Sequence, residues 1–477
     1  QKTDWVISLE GGGWCYSPAE CKYRAAKQTT GSSKGWIDLP TTMYEGPGPL
    51  SSDAAANPFA GFNKVVVKTC DGGSFVGDTK RGRLHFRGKR ILEAVVEELK
   101  HKHGLARERG THVLYTGCSA GGLGVVLTAN YFRSLLPDTV AKYKALACSG
   151  FFLDHQNLAE LGSEPVYANQ MKEFFTTSNA AATLSNECLQ DQAKGHEWRC
   201  MLASQAARYV RAPLFILNSA VDTWQLACEL AAETRDGTLE GDYRRGCSGA
   251  QGWDTCIDKG RHGPLTQTCK RGQVADVARY MADFHEALLD TRVLARPGNG
   301  AFVTSCFGHC GEYYGGLWNQ ARLHPSSQAL RQLKAGVVMS EAVWRWWSEG
   351  DPAITGENPH VYWPCQLMQE FPFQCNPSCT GPVESLASAL TAPAVQLDDS
   401  EKEKRAEPTK EDARNSPEPA HPKDARRGRI HADYHTNASG WAGKTPEADA
   451  KLMTLTQAEP DANPEASEAP RPAARPA

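Results

Sequence analysis

The chain has 477 residues, 40% hydrophobic and 22% charged, with 52 Lys and Arg against 55 Asp and Glu for a formal charge of −3. That balance excludes a protein built mainly to grip nucleic-acid phosphates. No run of about 18 apolar residues occurs, so no segment is expected to insert stably into a membrane. Sixteen cysteines, all between Cys15 and Cys379, point to an oxidising compartment and to disulfides, hence to a secreted, extracellular protein. Paired C-x-x-C knuckles at zinc-finger spacing are absent from the sequence, and neither a metal nor an organic cofactor is expected.

In chain order, Trp5-Val6-Ile7-Ser8-Leu9 predicts a strand running into Gly11-Gly12-Gly13. A core strand this close to Gln1 implies that the sequence starts inside a domain, with any secretory leader outside it. Lys64 to Lys68 predicts a second strand, closed by the turn Asp71-Gly72-Gly73. From Gly88 to Lys100, Ile91, Leu92, Val95, Val96 and Leu99 recur at the spacing of one buried helix face. His112 to Thr116 predicts the next strand and Leu123 to Leu136 the next helix, separated by a tight turn from Gly117 to Gly122. Pro213 to Leu217 and Ala301 to Thr304 predict two more strands, each followed at once by polar or Cys-bearing loop residues. Strands interleaved with helices predict an α/β fold around a mainly parallel sheet.

Residues 237–275 interrupt the pattern with Cys247, Cys256 and Cys269 among Gly and Arg, as in a disulfide-pinned excursion over the sheet. Beyond about Leu397 cysteine disappears and dense mixed charge and proline take over. Such a segment buries too little apolar area to offset its ordering entropy. The chain therefore divides into a folded domain over 1–396 and a disordered tail over 398–477, which holds the one N-glycosylation sequon, Asn437-Ala438-Ser439.

Gly117-Cys118-Ser119-Ala120-Gly121 matches G-x-S-x-G, the strained turn that presents a serine hydroxyl between small residues. The bare pattern is weak, but a strand before it and an apolar helix after it are the context the turn requires. A serine nucleophile needs a base and a carboxylate to orient that base, arriving in the order serine, acid, histidine just past later strands. Asp222 follows the strand ending at Leu217, and His309 follows the strand ending at Thr304. Among 14 histidines, this position at a strand exit singles out His309. The amide of Ala120 and those of Gly12 and Gly13 are the candidate oxyanion donors, because glycines let backbone N–H groups approach a substrate. Trp14, Trp224 and Phe307 flank these loops as candidate pocket walls, or as plain core. Asp71 is read as closing its turn rather than as binding substrate.

Together these residues resemble the pectin acetylesterase family, which also contains the Notum-type carboxylesterases. The likeness rests on Leu9 to Cys15, Cys70 to Phe75, Phe86-Arg87-Gly88, Gly117 to Leu123, Phe151 to Asp154, Asn218 to Gln225 and Ser305 to Cys310. It runs from about residue 4 to Cys379. The resemblance implies an α/β-hydrolase-like domain with disulfide-linked insertions, with Ser119, Asp222 and His309 as the catalytic positions and the oxyanion donors near Gly12, Gly13 and Ala120. The GGGWC, GCSAGG and SC-x-x-HC forms are similar to the plant-type branch, which implies an acetylated cell-wall polysaccharide such as pectin as substrate. The family's first segment and its cysteine are missing ahead of Gln1, so one of the sixteen cysteines could stand unpaired. Two other readings remain open: a Notum-like deacylase acting on a longer acyl chain of a protein or lipid, and an inactive carbohydrate-binding or interaction protein on the same scaffold.

Overall fold

A computed structural model describes residues 3–38, 48–156, 166–231, 269–290, 293–314, 316–325, 336–349, 358–363 and 452–455, together with positions 158, 253, 256 and 379. Its frame is one sheet. β1 (Trp5–Leu9) is buried along its whole length, as expected of a strand paired in parallel on both sides and covered on both faces. Its neighbours are β2 (Asn63–Val67) and, across the other edge, the strand leading to the elbow. A small antiparallel hairpin, β3 (Thr79–Arg81) and β4 (Leu84–Phe86), stands apart. Then come β5 (Thr111–Cys118), β6 (Val140–Cys148), β7 (Leu214–Ser219) and β8 (Gly300–Thr304), followed by β9 (Arg322–Pro325), β10 (Val337–Val338), β11 (Val361–Trp363) and β12 (Leu452–Leu455). The spatial order is β10-β9-β11-β8-β7-β6-β5-β1-β2-β12. All pairs from β11 to β12 are parallel, and within this sheet β9 alone is reversed, pairing antiparallel with both β11 and β10.

Two apolar layers sandwich this sheet. On one face Ile7, Leu9, Val113 and Tyr115 pack with the inner sides of α2 (Gly88–His103) and α3 (Ala120–Leu135), which follow α1 (Pro18–Lys27) in the chain. On the other, Val6, Leu114, Leu146, Phe215 and Phe302 pack with Trp318 and Trp346. Successive residues of a strand point to opposite faces, so one apolar run feeds both layers.

The chain goes from β1 to β2 on one side and only later places β5 on the other. A crevice opens at such a reversal, beyond the carboxyl ends of the strands, and it is the usual ligand site of open α/β sheets. Gly11 leaves β1 and Ser119 leaves β5 at that point.

The predicted strands and helices are all present, with boundaries moved by a few residues. Seven of the described strands were not predicted: the nine-residue β6 and the short β3, β4, β9, β10, β11 and β12. β6 reads Val-Ala-Lys-Tyr-Lys-Ala-Leu-Ala-Cys, rich in Ala and Lys, which carry little strand propensity. Tertiary contacts compensate, since Lys142 and Lys144 donate to the carbonyls of Trp347 and Trp346. The tail also departs from its reading at one place. Leu452–Leu455 pairs in parallel with β2, because this short apolar run meets an open strand edge whose N–H and C=O groups lack partners on that side. The sequon and most of the 237–275 segment lie outside the described residues, but Cys256 and Cys269 are bonded.

The other described disulfides join Cys15 to Cys21, Cys118 to Cys310, Cys188 to Cys200 and Cys306 to Cys379. Cys70 is a half-buried thiol, pushed up to about 12 by burial, with Asp71 adding to the shift.

Candidate active site

Ser119 sits between β5 and α3 with φ 59° and ψ −127°. A non-glycine residue there costs on the order of 1–3 kcal/mol and persists only where its surroundings enforce it. They do so here. The Ser119 amide donates to the Cys148 carbonyl at 3.0 Å, and the Ser119 carbonyl accepts from the Leu123 amide at 2.9 Å. A Cβ on Gly121 would lie 2.2 Å from the Leu9 carbonyl oxygen, so only glycine lets the turn close against β1. Ser119 itself is half-buried, and Ala120 opens α3, where the first N–H groups have no acceptor within the helix.

Asp222 and His309 arrive just past adjacent parallel strands. Beyond β7 and β8 the two loops stay zipped: Ala220 N–H donates to Thr304 at 2.9 Å, Ser219 Oγ to the Cys306 carbonyl at 2.6 Å, and Asp222 bridges Gly308. Cys310 N–H donates to Ser149 Oγ at 3.0 Å, and the Cys118–Cys310 disulfide links the residue before Ser119 to the residue after His309. The outcome is one hydrogen-bonded line. Ser119 Oγ lies 2.8 Å from His309 Nε2, and His309 Nδ1 lies 2.8 Å from Asp222 Oδ2 and 3.0 Å from Oδ1. Asp222 is fully buried, whereas the His309 side chain keeps 19% of its surface. Asp222 Oδ1 also accepts from the amides of Trp224 and Gln225, at 2.9 and 3.1 Å. Because the carboxylate can only accept, Nδ1 carries the hydrogen and Nε2 faces the serine as acceptor.

Gly12 and Gly13 take φ values of 119° and 71°, in the left-handed region that glycine enters without a steric penalty. A Cβ on Gly11 would come 2.7 Å from the Cys118 carbonyl and 3.4 Å from Ser119 Cβ, so this loop abuts the elbow. A residue outside the sequence-derived set holds it there. Arg24 Nη1 donates to the Gly12 carbonyl at 2.9 Å, and Arg24 is itself held by Glu20. Burial raises the Glu20 carboxyl above its usual range, opposed by the Tyr16 amide and by Arg24. Nothing local marks Arg24 as special; it is one of several basic residues in α1. Replacing Arg24 by methionine, which keeps the stem but removes the donor, is expected to lower kcat by about tenfold with little change in KM, read from steady-state kinetics on an acetyl ester.

Trp14 and Trp224 do meet near the histidine. Their rings lie 5.4 Å apart, both pack on Phe152 (5.2 and 4.9 Å), and Trp14 also packs on Tyr167 at 6.3 Å. Trp224 and Phe152 stand 6.2 and 6.4 Å from the His309 ring. Phe307 is half-buried on the main core, and it is Phe152 that joins Trp224 beside His309. Asp71 accepts from the amides of Gly73 at 2.8 Å and Arg87 at 2.7 Å, which is the turn-closing role expected of it.

The pectinacetylesterase family model matches residues 1–380. Pectin acetylesterase 5 of Arabidopsis thaliana is 27% identical over 382 residues, covering 79% of this chain and 76% of that one. Pectin acetylesterase 11 of the same plant is 29% identical over 313 residues, 64% of this chain and 71% of its own. The palmitoleoyl-protein carboxylesterase NOTUM of Mus musculus is 27% identical over 260 residues, 50% of this chain and 48% of its own. Among solved structures, the Wnt deacylase Notum from Drosophila superposes with a TM-score of 0.54 at 20% identity, covering 72% of this chain and 84% of that one. That likeness carries the fold alone. The match along nearly the whole folded region makes this chain a member of the pectinacetylesterase family.

Proposed function

We propose that this protein is a secreted serine carboxylic-ester hydrolase that removes acetyl groups from O-acetylated cell-wall polysaccharide. The observation that carries the reading is the unbroken line from Ser119 Oγ through His309 to buried Asp222. His309 Nε2 takes the hydroxyl proton as Ser119 Oγ bonds to the ester carbonyl carbon. Backbone N–H groups of Ala120 and of the Gly12–Gly13 loop meet the developing oxyanion. Collapse breaks the ester C–O bond, and the sugar oxygen leaves with the proton held on His309. Water then gives a proton to His309 and its hydroxide to the acetyl-serine, releasing acetate and restoring the hydroxyl. Asp222 holds the imidazole in the acceptor tautomer throughout.

Acetyl rather than a long acyl chain is favoured by the aromatic wall. Trp14, Phe152 and Tyr167 are almost fully buried and interlock with Trp224 right beside His309, which leaves the space next to the base occupied by rings. The described disulfides support an extracellular setting. Incubation with acetylated pectin, xylan and mannan should release free acetate from at least one of them, and release from none would overturn the substrate class. On nitrophenyl esters from acetyl to decanoyl, the rate should fall with chain length. Trp14→Ala should raise the octanoyl-to-acetyl rate ratio by at least about tenfold, the worth of roughly two methylenes newly accommodated; an unchanged ratio would remove the wall from the specificity argument.

A further inference from the structure

Behind the acid loop lies a second carboxyl group that the proposed reaction does not use. Glu229 belongs to a π-helical turn, Leu226–Leu230, that continues directly from the Asp222-capped turn Thr223–Gln225. Glu229, Gln225 and Tyr280 are all fully buried. Tyr280 Oη lies 2.7 Å from Gln225 Oε1 and 2.7 Å from Glu229 Oε2.

One phenol hydrogen cannot serve two acceptors. Turning the Gln225 amide over does not remove the conflict, because the Leu153 N–H donates to Gln225 Oε1 at 3.1 Å and would then face an N–H. Were Glu229 a carboxylate, one contact at 2.7 Å would set lone pair against lone pair. A carboxylate would also leave its second oxygen, Oε1, buried with no hydrogen-bond partner. Among the described residues no Lys, Arg or His forms an ion pair with it. An isolated buried charge of that kind is prohibitively costly, whereas the carbonyl oxygen of a neutral acid is not.

Resting on the triad reading above, we infer that Glu229 is an un-ionised carboxylic acid and a positioning residue for Asp222. Its O–H donates to Tyr280 Oη, and the Tyr280 O–H donates to Gln225 Oε1. The backbone N–H of Gln225, whose side chain is anchored in this way, donates to Asp222 Oδ1, and Asp222 holds His309. Burial pushes the Glu229 acid well above the ordinary carboxylate range, and Asp222 and Asp154 raise it further, against the Tyr280 hydrogen bond and the nearby Leu153 amide. Facing it from the other elements are Tyr167 and Tyr280, with His155 and Asp283 beyond the Tyr280 ring. A neutral acid here leaves Asp222 as the charge that orients the base.

The proton and the positioning are tested separately. An infrared difference spectrum of the full chain minus its Glu229→Gln variant at neutral pH should contain the carbonyl stretch of a protonated acid. A carboxylate stretch in its place would overturn the assignment, whatever the protein's activity. In kinetics, Glu229→Gln keeps a donor to Tyr280 and should stay within about threefold of the parent kcat. Glu229→Met and Tyr280→Phe should each lose about tenfold in kcat with KM little changed. If Glu229→Gln falls as far as Glu229→Met, or if neither Glu229→Met nor Tyr280→Phe lowers kcat, the positioning role is wrong. Should the Met variant not fold, Tyr280→Phe and the spectrum still decide. A parent that turns over no ester defeats the hydrolase reading but leaves the spectrum to judge Glu229.

Discussion

Replacing Ser119 by alanine should lower kcat on an acetyl ester by about a millionfold and abolish labelling by a fluorophosphonate probe. The change removes only Oγ from a half-buried residue. The amides and carbonyls that enforce the elbow belong to the backbone, so the fold should survive. Loss of a nucleophile that works as a unit with its base costs about as much as loss of the whole triad, on the order of 10⁶ in kcat. The residual rate reports the oxyanion donors and binding alone. Parent protein that fails to label, or a variant that labels as well as the parent, would end the assignment of Ser119. Circular dichroism on both proteins guards against a trivial loss of structure.

Asp222→Asn should cost about 10⁴ in kcat while leaving KM and thermal stability close to the parent. The asparagine carbonyl can still accept from the amides of Trp224 and Gln225, as Asp222 Oδ1 does, so the turn keeps its cap. The amide nitrogen replaces the oxygen that faces His309 Nδ1 at 2.8 Å. It donates where a carboxylate accepts, which drives the imidazole into the tautomer with hydrogen on Nε2. That nitrogen then points an N–H at Ser119 Oγ and can no longer take its proton. A variant retaining more than about a tenth of parent kcat would show that Asp222 is not the orienting acid. Loss of stability without a matching fall in kcat would assign it to the cap only.

The candidate site was legible because its signals are local. Strand-then-turn patterns placed Ser119, Asp222 and His309 at the ends of β5, β7 and β8, and parallel strands bring their carboxyl ends to one edge. The Gly12–Gly13 loop was found in the same way, at the end of β1. Arg24, Phe152 and Glu229 were not, since each acts through a contact that its neighbours in sequence do not encode. Arg24 reaches back twelve residues to a carbonyl, Phe152 meets Trp14 across the crevice, and Glu229 finds Tyr280 51 residues away. β6 was missed for a related reason, because its Ala- and Lys-rich text becomes a strand only between β5 and β7.

Sequence alone therefore determined the α/β alternation, the turn at Ser119 and the strand exits that carry the candidate nucleophile, acid and base, all of which depend on short-range pattern and turn chemistry. Tertiary structure alone decided which rings wall the site, which cation holds the glycine loop and where a buried acid must keep its proton. Those outcomes follow from packing and hydrogen-bond supply between segments far apart in the chain, and no local periodicity records them.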